Sequence, residues 1–291
     1  MRSGIPVIRG GGAGRRARAI LAGCAAAVAL LTGCAGLPAN DAAAPIDQAL
    51  AGAHRAEGNS ARDAYRHPRE TLLFFGLRPD MTVVEIWPGS GWYTEVLAPV
   101  LRGRGILYAA HFHVDGKGPP YRGLSRAAFQ KKLAANPAVY DQVRVTELSA
   151  PQHVGIAPAG SADLVLTFRN VHNWAAAKTD EATFRAFYAA LKPGGILGVV
   201  EHRAKEGASP EQMIKSGYMT ESYVIALAGK AGFKLVAKSE VNANPKDTRD
   251  HLRGVWTLPP TYRLGDQDRA KYAAIGESDR MTLRFVKPSN P

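Results

Sequence analysis

From about residue 68 onward, short continuous runs of aliphatic and β-branched residues alternate with longer stretches whose apolar positions recur at helical spacing. MTVVEI (81–86), GILYAAHF (105–112), QVRVTEL (142–148), ADLVLTFRN (162–170) and ILGVVEH (196–202) are runs bounded by glycine, proline or polar residues. That is the pattern of buried strands. Between them, WYTEVLAPVL (92–101) and the stretches near 124–135 and 179–191 have helical character, the first limited by Pro99 and the last stopped by KPGG (192–195). Pro68 is placed to open a helix over 68–76. After residue 219 the chain gives one more helix, SYVIALAGKAGF, and two closing strands, KLVAKSE (234–240) and MTLRFVKP (281–288). The polar interval 241–280, with WTLPPTY inside it, is expected as an insertion rather than a second core. No internal repeat is found.

Strands alternating with helices through short connections predict an α/β, doubly wound, mostly parallel sheet. Right-handed crossovers then put every strand's carboxyl end on one edge, and ligands bind at that edge near the topological switch. Function is therefore expected just after 86, 111, 148, 168 and 201.

The N-terminus follows a different pattern. Five arginines (2, 9, 15, 16 and 18) precede the uncharged stretch AILAGCAAAVALLTGC, which is short for a membrane span and suited to the apolar core of an export signal. Its end, LTGC (31–34), looks like a bacterial lipobox, which implies cleavage before Cys34 and lipidation of that thiol. LAGC (21–24) fits the same pattern with a shorter apolar core, and Arg15 and Arg16 hint at a twin-arginine signal whose following residues match poorly. The expectation is a signal peptide over 1–33, a flexible tether over 34–60, and a periplasmic protein of the bacterial cell envelope, held to a membrane by lipid at Cys34.

Composition narrows the rest. With 291 residues, 46% hydrophobic and 21% charged, the chain is ordinary globular material. The formal charge of +12 falls to about +7 once the five N-terminal arginines are set aside, leaving 32 basic against 25 acidic side chains. No basic run is interleaved with aromatics, so nucleic acid is not an expected partner. The only two cysteines, Cys24 and Cys34, lie in the signal region, which excludes a disulfide or thiolate metal site in the folded body. No GxSxG elbow supports hydrolase chemistry. No metal is expected: HExxH is absent, and His111 and His113 would meet at one ion only if a loop turned both toward it with Asp115.

Taken together, VVEIWPGSGWYTE, SADLVLTFRNVHNW and LKPGGILGVVEH, followed by a GF-containing helix end and two closing strands, resemble the class I S-adenosylmethionine-dependent methyltransferases. They resemble in particular a bacterial group of predicted methyltransferases with similar RDxYRHP, ExxPGxGWYTE and GESDRMTLRFVKP segments. The resemblance covers roughly 60–290. It implies a Rossmann-like seven-stranded sheet over 61–291, mostly parallel with an antiparallel last strand, and S-adenosylmethionine lying across the strand ends. By position it implies that Glu85 faces the methionine amino group and that Gly89 and Gly91 let the backbone approach the cofactor. Glu147 would lie near the adenine, and the segment Arg169 to Trp174 beside the transferred methyl.

This chain departs from the family at two places. Trp87 stands at the first turn glycine, and the Ala110, His111 region replaces the acidic residue that holds the ribose hydroxyls, although His111 can itself hydrogen-bond a ribose.

Methyl transfer to oxygen or nitrogen gains from a base, and histidine is the side chain best poised near neutral pH. His172 is the first candidate, with Asn170 beside it and His202 and Glu201 as alternatives. The competing role for His172 is a loop cap. Trp87, Trp92, Tyr93 and Trp174 can line the pocket mouth or simply pack helix on sheet. The Arg62, Asp63, Tyr65, Arg66, His67 cluster forms either a lid over the cofactor edge or a salt-bridged helix cap. Two functions remain: a methyltransferase acting on a small molecule, and an exported, non-catalytic ligand-binding lipoprotein on the same fold.

Overall fold

Adjacent strand residues take opposite sides, as period-two alternation requires. Val83, Leu164 and Leu166 join one apolar cluster, while their neighbours Val84 and Val165 join the other. The computed structural model describes residues 41–116 and 118–289, so the expected signal peptide, both cysteines and the lipidation candidate Cys34 lie outside the described residues.

In chain order the elements are α1 (Ala43–Leu50), α2 (Glu57–Ser60), α3 (Asp63–Arg66), α4 (Pro68–Phe75), β1 (Thr82–Ile86), α5 (Thr94–Leu101), β2 (Ile106–His111), α6 (Pro120–Ala135), α7 (Pro137–Tyr140) and β3 (Val143–Glu147). They continue with β4 (Ala162–Phe168), α8 (Val171–Ala176), α9 (Asp180–Ala190), β5 (Leu191–His202), α10 (Pro210–Ser216), α11 (Glu221–Lys230), β6 (Lys234–Ser239), a 3-10 turn (Gly254–Thr257), α12 (Arg269–Ile275) and β7 (Arg280–Val286). The sheet runs β3-β2-β1-β4-β5-β7-β6. All neighbours are parallel except β7, which is antiparallel to both β5 and β6. This is the predicted seven-stranded, doubly wound sheet, with its order reversing between β1 and β4.

One face packs against α8, α9 and α11 through Trp174, Phe184, Phe187 and Leu227. The other packs against α1, α4 and α5 through Ile46, Leu72, Phe75, Val96 and Leu97. Each such side chain removed from water contributes roughly 1.5–3 kcal/mol. Gly198 sets how closely α4 approaches the sheet, because a Cβ there would meet Phe75 at 2.7 Å and Leu166 at 2.8 Å.

Two expectations are corrected. From Ala42 the stretch assigned to a tether folds onto the domain: Ala42, Ile46 and Ala49 are fully or almost fully buried. These side chains join the apolar cluster formed with Leu72, Val96, Leu97 and Val100 of α4 and α5, and within α5 Pro99 cannot donate to the Glu95 carbonyl one turn back. His54 Nε2 donates to that carbonyl instead, at 2.6 Å. The second correction is that β5 begins at Leu191, not at 196. Leu191 pairs with Ala162, and an irregularity at Ala162/Leu164 absorbs the KPGG segment.

Candidate functional site

The carboxyl edge of the sheet has two halves. In the β1–β3 half, Trp87 takes φ 46°, a left-handed conformation that strains any residue with a side chain. Its indole Nε1 donates to the Leu148 carbonyl beyond β3 at 2.9 Å. Its rings lie 4.5 Å from Phe112 and 5.2 Å from Trp174, centroid to centroid. The indole thus crosses the ends of β1, β2 and β3. Gly89, also left-handed at φ 60°, keeps an open side, since a Cβ there would meet nothing within 4 Å. Backbone of that kind can approach a ligand closely.

Glu85 stands one residue before the end of β1. It is buried and accepts from Thr94 Oγ1 at 2.6 Å. Burial pushes its carboxyl up to about 7 against the pull of Thr94 and Lys132. His111, expected beside the ribose, is engaged within the protein. The ring is fully buried, Nδ1 accepts from the Phe112 N–H at 2.8 Å, and Nε2 bonds the Gly89 carbonyl at 3.1 Å. Both nitrogens are committed, and burial holds the imidazole neutral by lowering its pKa to about 4. Glu147 accepts from Arg126 at 2.5 Å and bonds His113 Nδ1 at 2.7 Å, which keep its carboxyl below the usual range. Gly91 packs on Phe129 and Lys132, so its missing side chain serves helix packing.

In the β4–β7 half, Glu201 at the end of β5 is fully buried. It accepts the Val171 N–H at 2.5 Å and the His202 N–H at 2.8 Å, and lies 3.0 Å from His172 Nδ1. With a carboxylate as acceptor, Nδ1 carries the proton and Nε2 is left as the basic nitrogen, a tautomer fixed by the partner. His202 bonds Ser278 Oγ at 2.5 Å, and burial, then His172 and three arginines, hold it neutral well below its ordinary pKa. Asn170 turns back to bridge strand ends, donating to the Ile86 carbonyl at 3.1 Å and to Thr167 Oγ1 at 3.2 Å.

His172 and His202 line a hollow of about 280 Å³ together with Arg62, Arg66, Arg169, Arg280, Trp256, Glu277 and Ser278. A larger hollow of about 580 Å³ lies against α9 and α10, but it receives no strand end and no histidine. The smaller one is where the sheet delivers its chemistry. Glu277 accepts from Arg62 at 2.5 Å, Arg280 at 2.5 Å and Arg66 at 3.3 Å. Burial raises its carboxyl, yet Arg280, Arg66 and Arg169 together bring it down to about 2. Arg66 also stacks over Trp92 at 4.5 Å. Burial, then Arg169, lower its pKa to about 8.

Of the Arg62–His67 cluster, Arg62 and Arg66 line this pocket from either end of α3, while Asp63 pairs with Arg55. Sequence reading passed over Glu277, Ser278 and Arg280 as ligand-facing groups. The available signals were the density of charge in GESDR and the resemblance of that segment to the bacterial group named above.

Two side-chain trios lie within metal-ligating reach, His113/Glu147/His153 and His172/Glu201/His202. Neither is arranged for an ion. His113 and His153 are stacked face to face at 3.5 Å, so their in-plane lone pairs do not converge. Glu201 is spent on N–H donors beside a cationic cluster.

No protein-family model and no curated protein matches the chain. Solved structures do. A SAM-dependent methyltransferase from Aquifex aeolicus superposes with TM-score 0.52 and 16% identity over 78% of this chain and 93% of that one. The [4+2]-cyclase SpnF gives 0.53 and 17%, over 85% and 93%. Phosphoethanolamine N-methyltransferase 2 of Haemonchus contortus, in complex with S-adenosyl-L-methionine, gives 0.52 and 15%, over 77% and 53%. The chain has the Rossmann-like fold of the class I S-adenosylmethionine-dependent methyltransferases.

Proposed function

We propose that the protein is an S-adenosylmethionine-dependent methyltransferase acting on a small molecule, with His172 as general base. The observation that carries this reading is the Glu201–His172 pair, set on the same sheet edge as the open face of Gly89 in a methyltransferase fold. The cofactor would supply an activated methyl group, held by the turn at Trp87–Gly91. The open side of Gly89 fits such a ligand, while at the ribose end β2 closes on Ala110 and His111 rather than on a carboxylate.

The chain's own residues have three tasks. The hollow orients the acceptor, Trp256 and the segment Pro259–Thr261 shield it from water, and His172 Nε2 takes the acceptor's proton while Glu201 steadies the resulting charge. Such a base is worth typically 10²- to 10⁴-fold, and alignment in a water-poor site supplies much of the remainder.

The arginine-rich leader, its apolar core and LTGC support an envelope location with a lipid on Cys34. Metabolic labelling with a fatty acid should mark the native chain and not Cys34→Ala.

The non-catalytic binding lipoprotein is not favoured by the fold. Its one support is the Trp87 indole laid across the strand ends. Calorimetric titration separates the two readings. S-adenosylhomocysteine should bind the native protein in the micromolar to millimolar range. Binding by Trp87→Gly alone would move the assignment to the non-catalytic reading, and binding by neither would end the methyltransferase one.

A further inference from the structure

The β4–β7 hollow holds more positive charge than the protein neutralises. Four guanidinium groups line it, from Arg62, Arg66, Arg169 and Arg280, against the single carboxylate of Glu277. With His202 held neutral, the excess from these five groups is three charges.

Arg62, Arg66 and Arg280 each bond Glu277. Arg169 does not, and among the described residues its guanidinium has no hydrogen-bond or ion-pair partner. Its place is nonetheless fixed: it follows β4, its N–H bonds the Val200 carbonyl at 2.7 Å, and its backbone is left-handed at φ 62°. A non-glycine residue keeps that conformation only where its surroundings over-determine it, and such residues gather at ligand sites. Burial, then Arg280, lower its pKa to about 10, so the group stays a cation at neutral pH. An unpaired guanidinium facing a small hollow, with two more arginines almost fully buried in the walls, is an arrangement that lacks its counter-anion. Guanidinium forks match carboxylate and phosphate oxygens.

We propose that this hollow binds the anionic end of a small ligand, a phosphate or dicarboxylate dianion, with Arg169 as its direct contact and Arg66 and Arg280 as the supporting charges. A monoanion would leave two of the three excess charges unbalanced, whereas a dianion leaves one. The inference rests on the methyltransferase reading only in calling that ligand the substrate. In that role, the anionic end bound at Arg169 would leave the ligand's acceptor atom facing His172 across the hollow.

The test uses the full chain without cofactor, with inorganic phosphate, malonate and acetate as probes in low-salt buffer, read by calorimetry and by thermal shift. Phosphate or malonate should bind in the millimolar range or tighter and raise Tm, with acetate weaker. Arg169→Gln should weaken the dianion about tenfold or more, Arg169→Lys less, and the exposed Arg185→Gln not at all. No dianion binding by the native chain, or equal binding by Arg169→Gln at unchanged Tm, overturns the proposal.

A second arm adds saturating S-adenosylhomocysteine, which carries a carboxylate of its own. Unchanged phosphate affinity supports a separate anion site, and complete competition overturns it by giving the arginines to the cofactor. Phosphate binding without S-adenosylhomocysteine binding keeps the anion site and ends the methyltransferase reading. The reverse result does the opposite.

Discussion

The two halves of the sheet's carboxyl edge are made of opposite materials. At β1–β3 the strand ends are covered by the rings of Trp87, Phe112 and Trp174, with a carboxyl, Glu85, that burial keeps protonated up to about pH 7. At β4–β7 they open onto guanidinium and imidazole groups around Glu277, a carboxyl held ionised down to about pH 2. The same backbone geometry thus supports a half roofed by aromatic rings, with an open backbone face at Gly89, and a half crowded with guanidinium groups.

Replacing His172 would cut deepest into the contrast. His172→Gln should lower methyl transfer by 10²- to 10⁴-fold while S-adenosylhomocysteine affinity, measured by calorimetry, stays unchanged.

Next comes Glu277→Gln, which strands three arginines and should cost about 3–5 kcal/mol in urea unfolding. The native chain also carries a pH signature here. The carboxyl titrates near 2 when folded and near 4.5 when unfolded, so its stabilisation is complete above pH 4.5 and is lost as the pH falls toward 2. The variant should lack that acid limb.

Glu85→Gln tests the apolar half, with the opposite sign. Its carboxyl lies near 7 folded and near 4.5 unfolded, so the native chain loses stability as pH rises from 4.5 to 7. The glutamine, still accepting from Thr94, should flatten that slope and gain about 1–3 kcal/mol at pH 8. If both substitutions shifted stability the same way across pH, the contrast between the halves would fail. The smallest expected effect is Trp87→Phe, which gives up the bond to Leu148 and should cost about 0.5–1.5 kcal/mol in the same unfolding assay.

The strands were legible because burial on both faces forces continuous apolar runs such as TVVEI and DLVLTF. The edge that would carry the site followed from handedness alone. What the sequence hid was pairing across distance. Glu201 and His172 were separate candidates until the β4–β5 register set them together, and nothing local said that Asn170 would turn back to Ile86. The stretch 42–54 reads as featureless because its partners are distant: Ile46 packs in the cluster of α4 and α5, and His54 bonds a carbonyl 41 residues further on. Trp87 was visible as an oddity, but its direction depended on a carbonyl beyond β3.

The bond between Arg62 and Glu277 joins residues 215 apart in the chain. A ribosome releases Arg62 and Arg66 long before it makes Glu277 and β7, and strand β7 must then insert between two neighbours already made, β5 and β6. Contacts of such separation form late and slowly. The anion pocket is therefore the last part of the molecule to be completed, and a nascent chain that has not been finished can hold Arg169 and His172 on the sheet without Glu277 and Arg280 to close the site around them.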